Sequence, residues 1–288
     1  MRFSFAEAMC DPEHYVPLAQ AIERSGFTSF TIPDSIGYPE VSDSRYPYTA
    51  DGNREFLNGR PFIDPFVLIA TLAAVTETLR FTTFVVKLPI RQPVLVAKQA
   101  MSLAVMTHDR FGFGIGLSPW PEDFAMCEQS WQGRGQRMDE MIEILRGLET
   151  GEFFGFSGEC FELERIKMSP APSARIPILI GGHADVALRR AARVGDGWMH
   201  AGGEAEELDR LIARIQALRK EYGRDHLPFE FHVISLDGFT IDGVKKLEDQ
   251  GVTDVIVGLR DLYEPDEMKL DQKIAAVEGF ANNVIAKI

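Results

Sequence analysis

Between Pro177 and Trp198 the chain reads PILIGGHADVALRRAARVGDGW. An apolar, strand-like run stops on Gly181-Gly182, and a helical pattern begins almost at once, at Ala184. Two glycines at such a junction either make a tight turn or let an anionic group come very close to the backbone. A helix start supplies unpaired N–H groups and positive potential for an anion. Arg189, Arg190 and Arg193 add charge in the same helix, whereas Asp185 suits an N-cap but opposes a phosphate beside it. A second glycine series, Gly112, Gly114 and Gly116, lies inside a strand and lacks the G-x-G-x-x-G spacing of a dinucleotide fold. Glycines there leave room for a flat group to approach the backbone, or mark a bulge. Ser118, just beyond them, has no paired base and reads as a hydrogen-bonding group rather than a nucleophile. Metal chemistry has no such footing. The six histidines show neither HxH nor HExxH spacing, the three cysteines Cys10, Cys127 and Cys160 are scattered, and there is no GxSxG elbow. No metal site is expected.

These residues sit in an alternating pattern. Strands are expected at Arg2–Ala8, Ser29–Asp34, Arg80–Leu88, Arg110–Leu117, Pro177–Gly182, Asp196–Ala201, Phe229–Leu236 and Asp254–Leu259. Helical stretches separate them. Asp11-Pro12 and Asp64-Pro65 are N-cap and first-turn signals, and Arg134–Gly151, Glu204–Tyr222 and about Asp266 to Ile288 carry amphipathic periods. Eight strands alternating with helices predict a single-domain (β/α)8 barrel spanning residues 1–288. Two long connections interrupt the repeat. Ser35–Gly59 follows the second strand and so belongs to the face where such barrels build active sites, and residues 153–176 form an insertion before the fifth strand. The aromatics Tyr38, Tyr46, Tyr48 and Trp120 are expected to wall a substrate pocket or pack a lid. Met101, Met106, Met138 and Met141 read as core or dimer contacts.

The 288 residues are 45% hydrophobic and 25% charged, with a net charge of −13. That balance argues against nucleic acid or an anionic membrane as a partner. The N-terminus lacks a signal-peptide pattern, and no apolar run approaches the roughly 18 residues of a membrane span. The expectation is a soluble cytoplasmic protein.

Three segments taken together carry a family resemblance: RFGFGIGLSPWPEDF from Arg110, RGQRMDEMIEIL, and IPILIGGHADVALRRAARVGDGW. In order and nearly over the whole chain, the sequence resembles the luciferase-like monooxygenase superfamily, and within it the oxidoreductases that use coenzyme F420, a deazaflavin. The resemblance implies a (β/α)8 barrel, a deazaflavin or flavin cofactor (FMN is the alternative), a small-molecule substrate and a homodimer. It also implies cofactor contacts at Val86 and Lys87, within the run Val85-Val86-Lys87-Leu88-Pro89 that matches where relatives place a strained peptide against the ring. Further contacts follow at Gly116, Ser118, Arg137, Gly181, Gly182, His183 and Trp198. A flat ring needs an apolar slot with backbone donors, and its phosphate needs a helix start, so the residues agree with this reading. Arg91, Arg134, Arg137 and Arg189 are candidates for meeting an anionic cofactor tail.

The chain departs from the resemblance where proton transfer is concerned. Many deazaflavin-dependent relatives carry a His soon after the Asp that ends the second strand, and here the run is Pro33-Asp34-Ser35-Ile36. Some carry a Glu beyond the fourth strand, where this chain has Pro119-Trp120. The remaining acid candidates are Glu7, Asp34 and His200. A carboxylate beside an apolar slot would have a raised pKa suited to an acid, or be a structural hydrogen-bonding group. Lys87 is either a rim lysine or a charge facing the ring, and Trp198 either stacks near the ring or fills the barrel mouth. The expected function is hydride transfer between F420 and a small organic substrate. The alternatives are an FMN-dependent monooxygenase and a flavin-binding barrel without catalysis.

Overall fold

The protein was analysed as a computed structural model that describes residues 1–47, 49 and 51–288; Tyr48 lies outside the described residues. Its strands are β1 (Arg2–Ala6), β2 (Ser29–Ile32), β3 (Arg80–Thr83), β4 (Val86–Lys87), β5 (Phe111–Gly116), β6 (Phe154–Ser157), β7 (Glu162–Ile166), β8 (Ile178–Gly181), β9 (Gly197–His200), β10 (Glu230–Ile234) and β11 (Asp254–Gly258). β1, β2, β3, β5, β8, β9, β10 and β11 pair in parallel all the way round, and the β3–β5 pairing closes the ring. This is the eight-stranded barrel the alternation predicts.

The helices are α1 (Tyr15–Arg24), α2 (Pro65–Ala73), α3 (Pro93–Met106), α4 (Pro121–Met126), α5 (Arg134–Leu148), α6 (Asp185–Val194), α7 (Ala205–Glu221), α8 (Ile241–Asp249) and α9 (Leu270–Asn283). Their starts are chemically marked. Asp64 accepts hydrogen bonds from the amides of Phe66 and Val67 ahead of α2, with Pro65 at the first helical position, a cap that contributes about 1 kcal/mol. α9 begins at Leu270 rather than near Asp266, because the Asp266 carboxylate binds the Met268 amide and Lys273 instead of continuing a helix. No helix among the described residues is long and apolar enough to cross a membrane.

Successive residues on a strand point to opposite faces, and the two faces differ sharply. Phe3, Phe5, Phe30, Phe81, Phe111, Phe113, Trp198 and Phe231 join the main core between strands and helices. The barrel interior instead holds the smaller group Ala6, Leu179, Met199 and Ile256, with Phe84, Val85 and Ile234 at its partly open end. The stabilising apolar burial is therefore outside the ring. Met101, Met138 and Met141 are fully buried, while Met106 is exposed.

Two features were not read from the sequence. The insertion 153–176 contains an antiparallel hairpin, β6–β7. The third strand does not run unbroken from Arg80 to Leu88. It stops at Thr83, a cis Phe84–Val85 peptide follows, and β4 resumes the pairing with β5.

Candidate active site

At the C-terminal ends of the strands, Val85 is half-buried between Gly116 and Gly181. A Cβ on Gly116 would stand 2.7 Å from Val85 Cγ2, and one on Gly181 would stand 3.0 Å from Val85 Cγ1. These two glycines exist to seat the Val85 methyls, which form an apolar floor. Val86, the expected contact, is fully buried in the outer core instead, so the residue facing the mouth is its neighbour.

Beside this floor, β8 runs through Gly181-Gly182 into α6. Gly182 has φ of +120°, a conformation that side chains disfavour, and a Cβ there would lie 3.1 Å from that of Ala187. Ala184, at the N-cap, provides no side-chain acceptor to the first turn. The helix start thus keeps its donor character for an outside anion. Asp185 does not oppose this. Its carboxylate accepts from Arg214 at 2.8 Å and Arg189 at 2.6 Å, and these two partners hold its pKa below the usual range. The remaining arginines of α6 are committed elsewhere: Arg190 and Arg193 both bind Asp139 of α5, at 2.5 and 2.9 Å. The expectation that they add charge at the helix start is corrected accordingly; they fasten α6 to α5.

Trp198 and His183 support the turn from behind. The buried Trp198 indole donates to the Gly182 carbonyl at 2.8 Å, and the Ala201 amide donates to His183 Nε2 at 3.1 Å. His200 stacks on His183 with ring centroids 4.6 Å apart and an interplanar angle of 9°. Its Nδ1 lies 3.2 Å from the Ile234 carbonyl oxygen, while its buried Nε2 has no hydrogen-bond partner. Burial, reinforced by His183, lowers the His200 pKa to about 4, and burial lowers that of His183 as well. Both rings are neutral at pH 7.

The two carboxylates singled out from the sequence are bound in ion pairs. Glu7 follows Phe3 and Phe5 on the outward face of β1. It meets Arg260 Nη2 at 2.7 Å and Lys273 Nζ at 3.0 Å, and Asp266 completes the cluster by binding Lys273 at 2.5 Å. Asp34 pairs with Arg91 at 2.8 Å and accepts the Lys87 amide at 2.9 Å. Arg91 also donates to the Lys87 carbonyl, so both peptide groups of that residue are held.

Lys87 is neither at the rim nor turned to the floor. Its ammonium pairs with Asp123 at 2.6 Å and stands 4.8 Å from the Trp120 ring centroid. Ser118 donates to the same Asp123 at 2.5 Å and accepts the Trp120 amide at 3.0 Å, so Asp123 organises the loop after β5. Arg137 donates to the carbonyls of Pro89 and Arg91 and covers the Phe161 ring, tying α5 to the segment after β4. Arg134 likewise bonds the Trp131 carbonyl. Described residues of the long connection after β2 pack on the loops that follow β1 and β5. Tyr46 meets Trp120 at 5.4 Å and Tyr263 at 6.0 Å between ring centroids, closing a small separate cluster with Ala8, Met9, Leu57 and Phe56. Tyr38 is partly exposed outside it.

Arg54, Val85, Asp123, Arg260 and Lys273 were not singled out as site residues from the sequence. Most of their partners are remote in the chain; Val85, inside the run that matches the strained peptide, and Asp123, five residues from Ser118, had a signal.

Comparison with known proteins places this geometry. A sequence profile of the family described as luciferase-like monooxygenase matches residues 6–236. An uncharacterised protein of Mycobacterium tuberculosis (strain ATCC 25618 / H37Rv) is 62% identical over 290 residues, covering 100% of both chains. The F420-dependent glucose-6-phosphate dehydrogenase of Gordonia bronchialis is 27% identical over 233 residues, covering 77% of this chain and 63% of that protein. Among solved structures, the monooxygenase RslO1 from Streptomyces bottropensis superposes with a TM-score of 0.80 at 17% identity, covering 100% of this chain and 99% of the other. An eight-stranded parallel barrel carrying that sequence profile belongs to the luciferase-like monooxygenase family, whose members are oxidoreductases.

Proposed function

We propose that the protein is an oxidoreductase that transfers hydride between coenzyme F420 and a small organic substrate. One observation carries this reading: an apolar floor, Val85, lies at the same barrel mouth as the uncapped start of α6 after Gly181-Gly182. The chemistry of that pair fits a planar ring joined to a phosphate. The first-turn amides of α6 would hold the phosphate, with Trp198 fixing the Gly182 carbonyl behind them. Val85 would support the ring, and Asp34, Arg91 and Arg137 hold the segment around Lys87 that carries this floor. When bound, the deazaflavin accepts or returns a hydride and activates oxygen poorly. The lid aromatics Tyr46 and Trp120 exclude water from the transfer. Support for F420 over FMN comes from the Gordonia bronchialis dehydrogenase, which aligns with 77% of this chain. The likeness to the monooxygenase RslO1 supports the fold, and FMN is the second reading. The same family reading includes a homodimer.

Titration of the purified protein with F420 and with FMN, followed by fluorescence, tests the assignment. F420 is expected to bind and its reduced form to be oxidised by unsaturated carbonyl compounds. Tight FMN binding without F420 binding overturns the coenzyme assignment. Bound reduced F420 that no acceptor oxidises overturns catalysis.

A further inference from the structure

The lid carries a buried cation whose hydrogen-bonding edge has no partner. Arg54 is only 5% exposed, and its Nε and Nη2 are each buried without a hydrogen bond among the described residues. Its third nitrogen, Nη1, comes no nearer than 3.6 Å to Glu122. The guanidinium lies against the Trp120 ring, 4.9 Å from the centroid, and Trp120 Nε1 is also buried without an acceptor. Among the described residues, the Nε–Nη2 edge of Arg54 and the indole Nε1 of the ring it lies against have no acceptor. Leaving buried donors unmet is unfavourable, and more so for charged groups.

Nearby carboxylates do not fill the gap. Glu122 accepts from the hydroxyls of Ser42 and Ser44, at 2.6 and 2.9 Å. Asp123 is taken by Ser118 and Lys87. The unfilled atoms are a specific pair. Nε and Nη2 form the side edge of the guanidinium that matches two carboxylate oxygens in parallel. The same chain shows the motif satisfied elsewhere: Arg2 gives this pair to Asp254 at 2.9 and 2.6 Å. The Trp120 ring under Arg54 belongs to an apolar and aromatic cluster with Met9, Tyr46, Phe56 and Leu57.

We propose that the substrate is a small organic acid whose carboxylate docks on the Nε–Nη2 edge of Arg54, with Trp120 Nε1 as a third donor and its apolar body against the lid aromatics. This rests on the reading of the barrel mouth as a substrate site and adds the substrate class to it. The test needs no coenzyme. Isothermal titration of the full chain with cinnamate, benzoate and hexanoate, each beside its amide, compares charge at constant shape. At least one acid is expected to bind about tenfold or more tighter than its amide, the size expected of charge-assisted hydrogen bonds. Arg54→Gln should abolish that preference, Arg54→Lys should keep part of it, and Trp120→Phe should weaken the acid several-fold. Should Arg54→Gln fail to fold, as judged by circular dichroism, the acid–amide contrast in the wild type and the Trp120→Phe effect decide. Equal affinity for acids and amides, an unchanged preference in Arg54→Gln, or no binding by any acid overturns the proposal. If acids bind through Arg54 while F420 and FMN both fail to bind, the coenzyme reading falls and the carboxylate site stands.

Discussion

Glu7, Asp34 and His200 share a property that their positions already encode. Each continues the outward parity of its strand: Phe3, Phe5 and Glu7; Phe30, Ile32 and Asp34; Trp198 and His200. Large apolar residues two positions earlier, and also four positions earlier for Glu7 and Asp34, mark the face that packs on helices, so these polar groups enter the strand–helix layer or its rim. That signal was legible in the sequence; their partners, Arg260 and Lys273 for Glu7, lie some 250 residues away and were not. The consequence is testable. Glu7→Gln removes the anion between two buried cations and should destabilise the fold by about 3 kcal/mol, read from urea unfolding, with coenzyme affinity unchanged. His200 gives a pH dependence of definite sign. Its folded pKa of about 4 lies below the ordinary 6.5, so the fold favours the neutral ring. Stability from this group is complete above about pH 6.5 and is lost as pH falls toward 4, by roughly 2–3 kcal/mol. Urea midpoints measured from pH 7 to pH 4.5 should fall less steeply in His200→Gln than in the wild type.

At the scale of elements, the β8–α6 junction was the most legible part of the site. Gly-Gly before a helix has few other uses, and its left-handed Gly182 and uncapped Ala184 follow from the residue types. Gly182→Ala should cost about 1–2 kcal/mol in stability, because its φ of +120° is unfavourable for a side chain. It should also weaken coenzyme binding, checked by the same fluorescence titration. The floor was harder to see. A one-residue shift along a strand exchanges faces, and here Val86 joins the outer core while Val85 packs on the inner group. Gly116→Ala would bring a methyl to 2.7 Å from Val85 Cγ2. Its destabilisation should be largely relieved by Val85→Ala in a double-mutant cycle, and additive losses would show that the two do not touch. The hairpin β6–β7 escaped notice because its strands are short, half-exposed and carry little alternation.

For the whole molecule, the net charge of −13 opposes the approach of any anionic coenzyme or acid. Raising ionic strength from about 0.01 to 0.15 M shortens the Debye length from about 30 to 8 Å and should increase the association rate of F420, measured by stopped-flow fluorescence. A rate that falls with salt would mean that a local basic surface dominates. The barrel itself was readable from alternation alone, since eight apolar, β-branched or aromatic runs between amphipathic helices leave few other architectures. The lid was readable only as a long connection, because nothing local specifies how an irregular segment packs. Its cluster, built around Trp120, Leu57, Ala8 and Met9, is separate from the core that wraps the ring. The described residues of this connection that join the cluster, among them Tyr46, Phe56 and Leu57, can therefore detach as a cooperative unit, at a free energy far below that of global unfolding. Their amide protons would exchange through that partial opening while those of β5 and β8 wait for the whole chain to unfold, so the gate's opening frequency can drift through mutation without eroding the longevity of the fold.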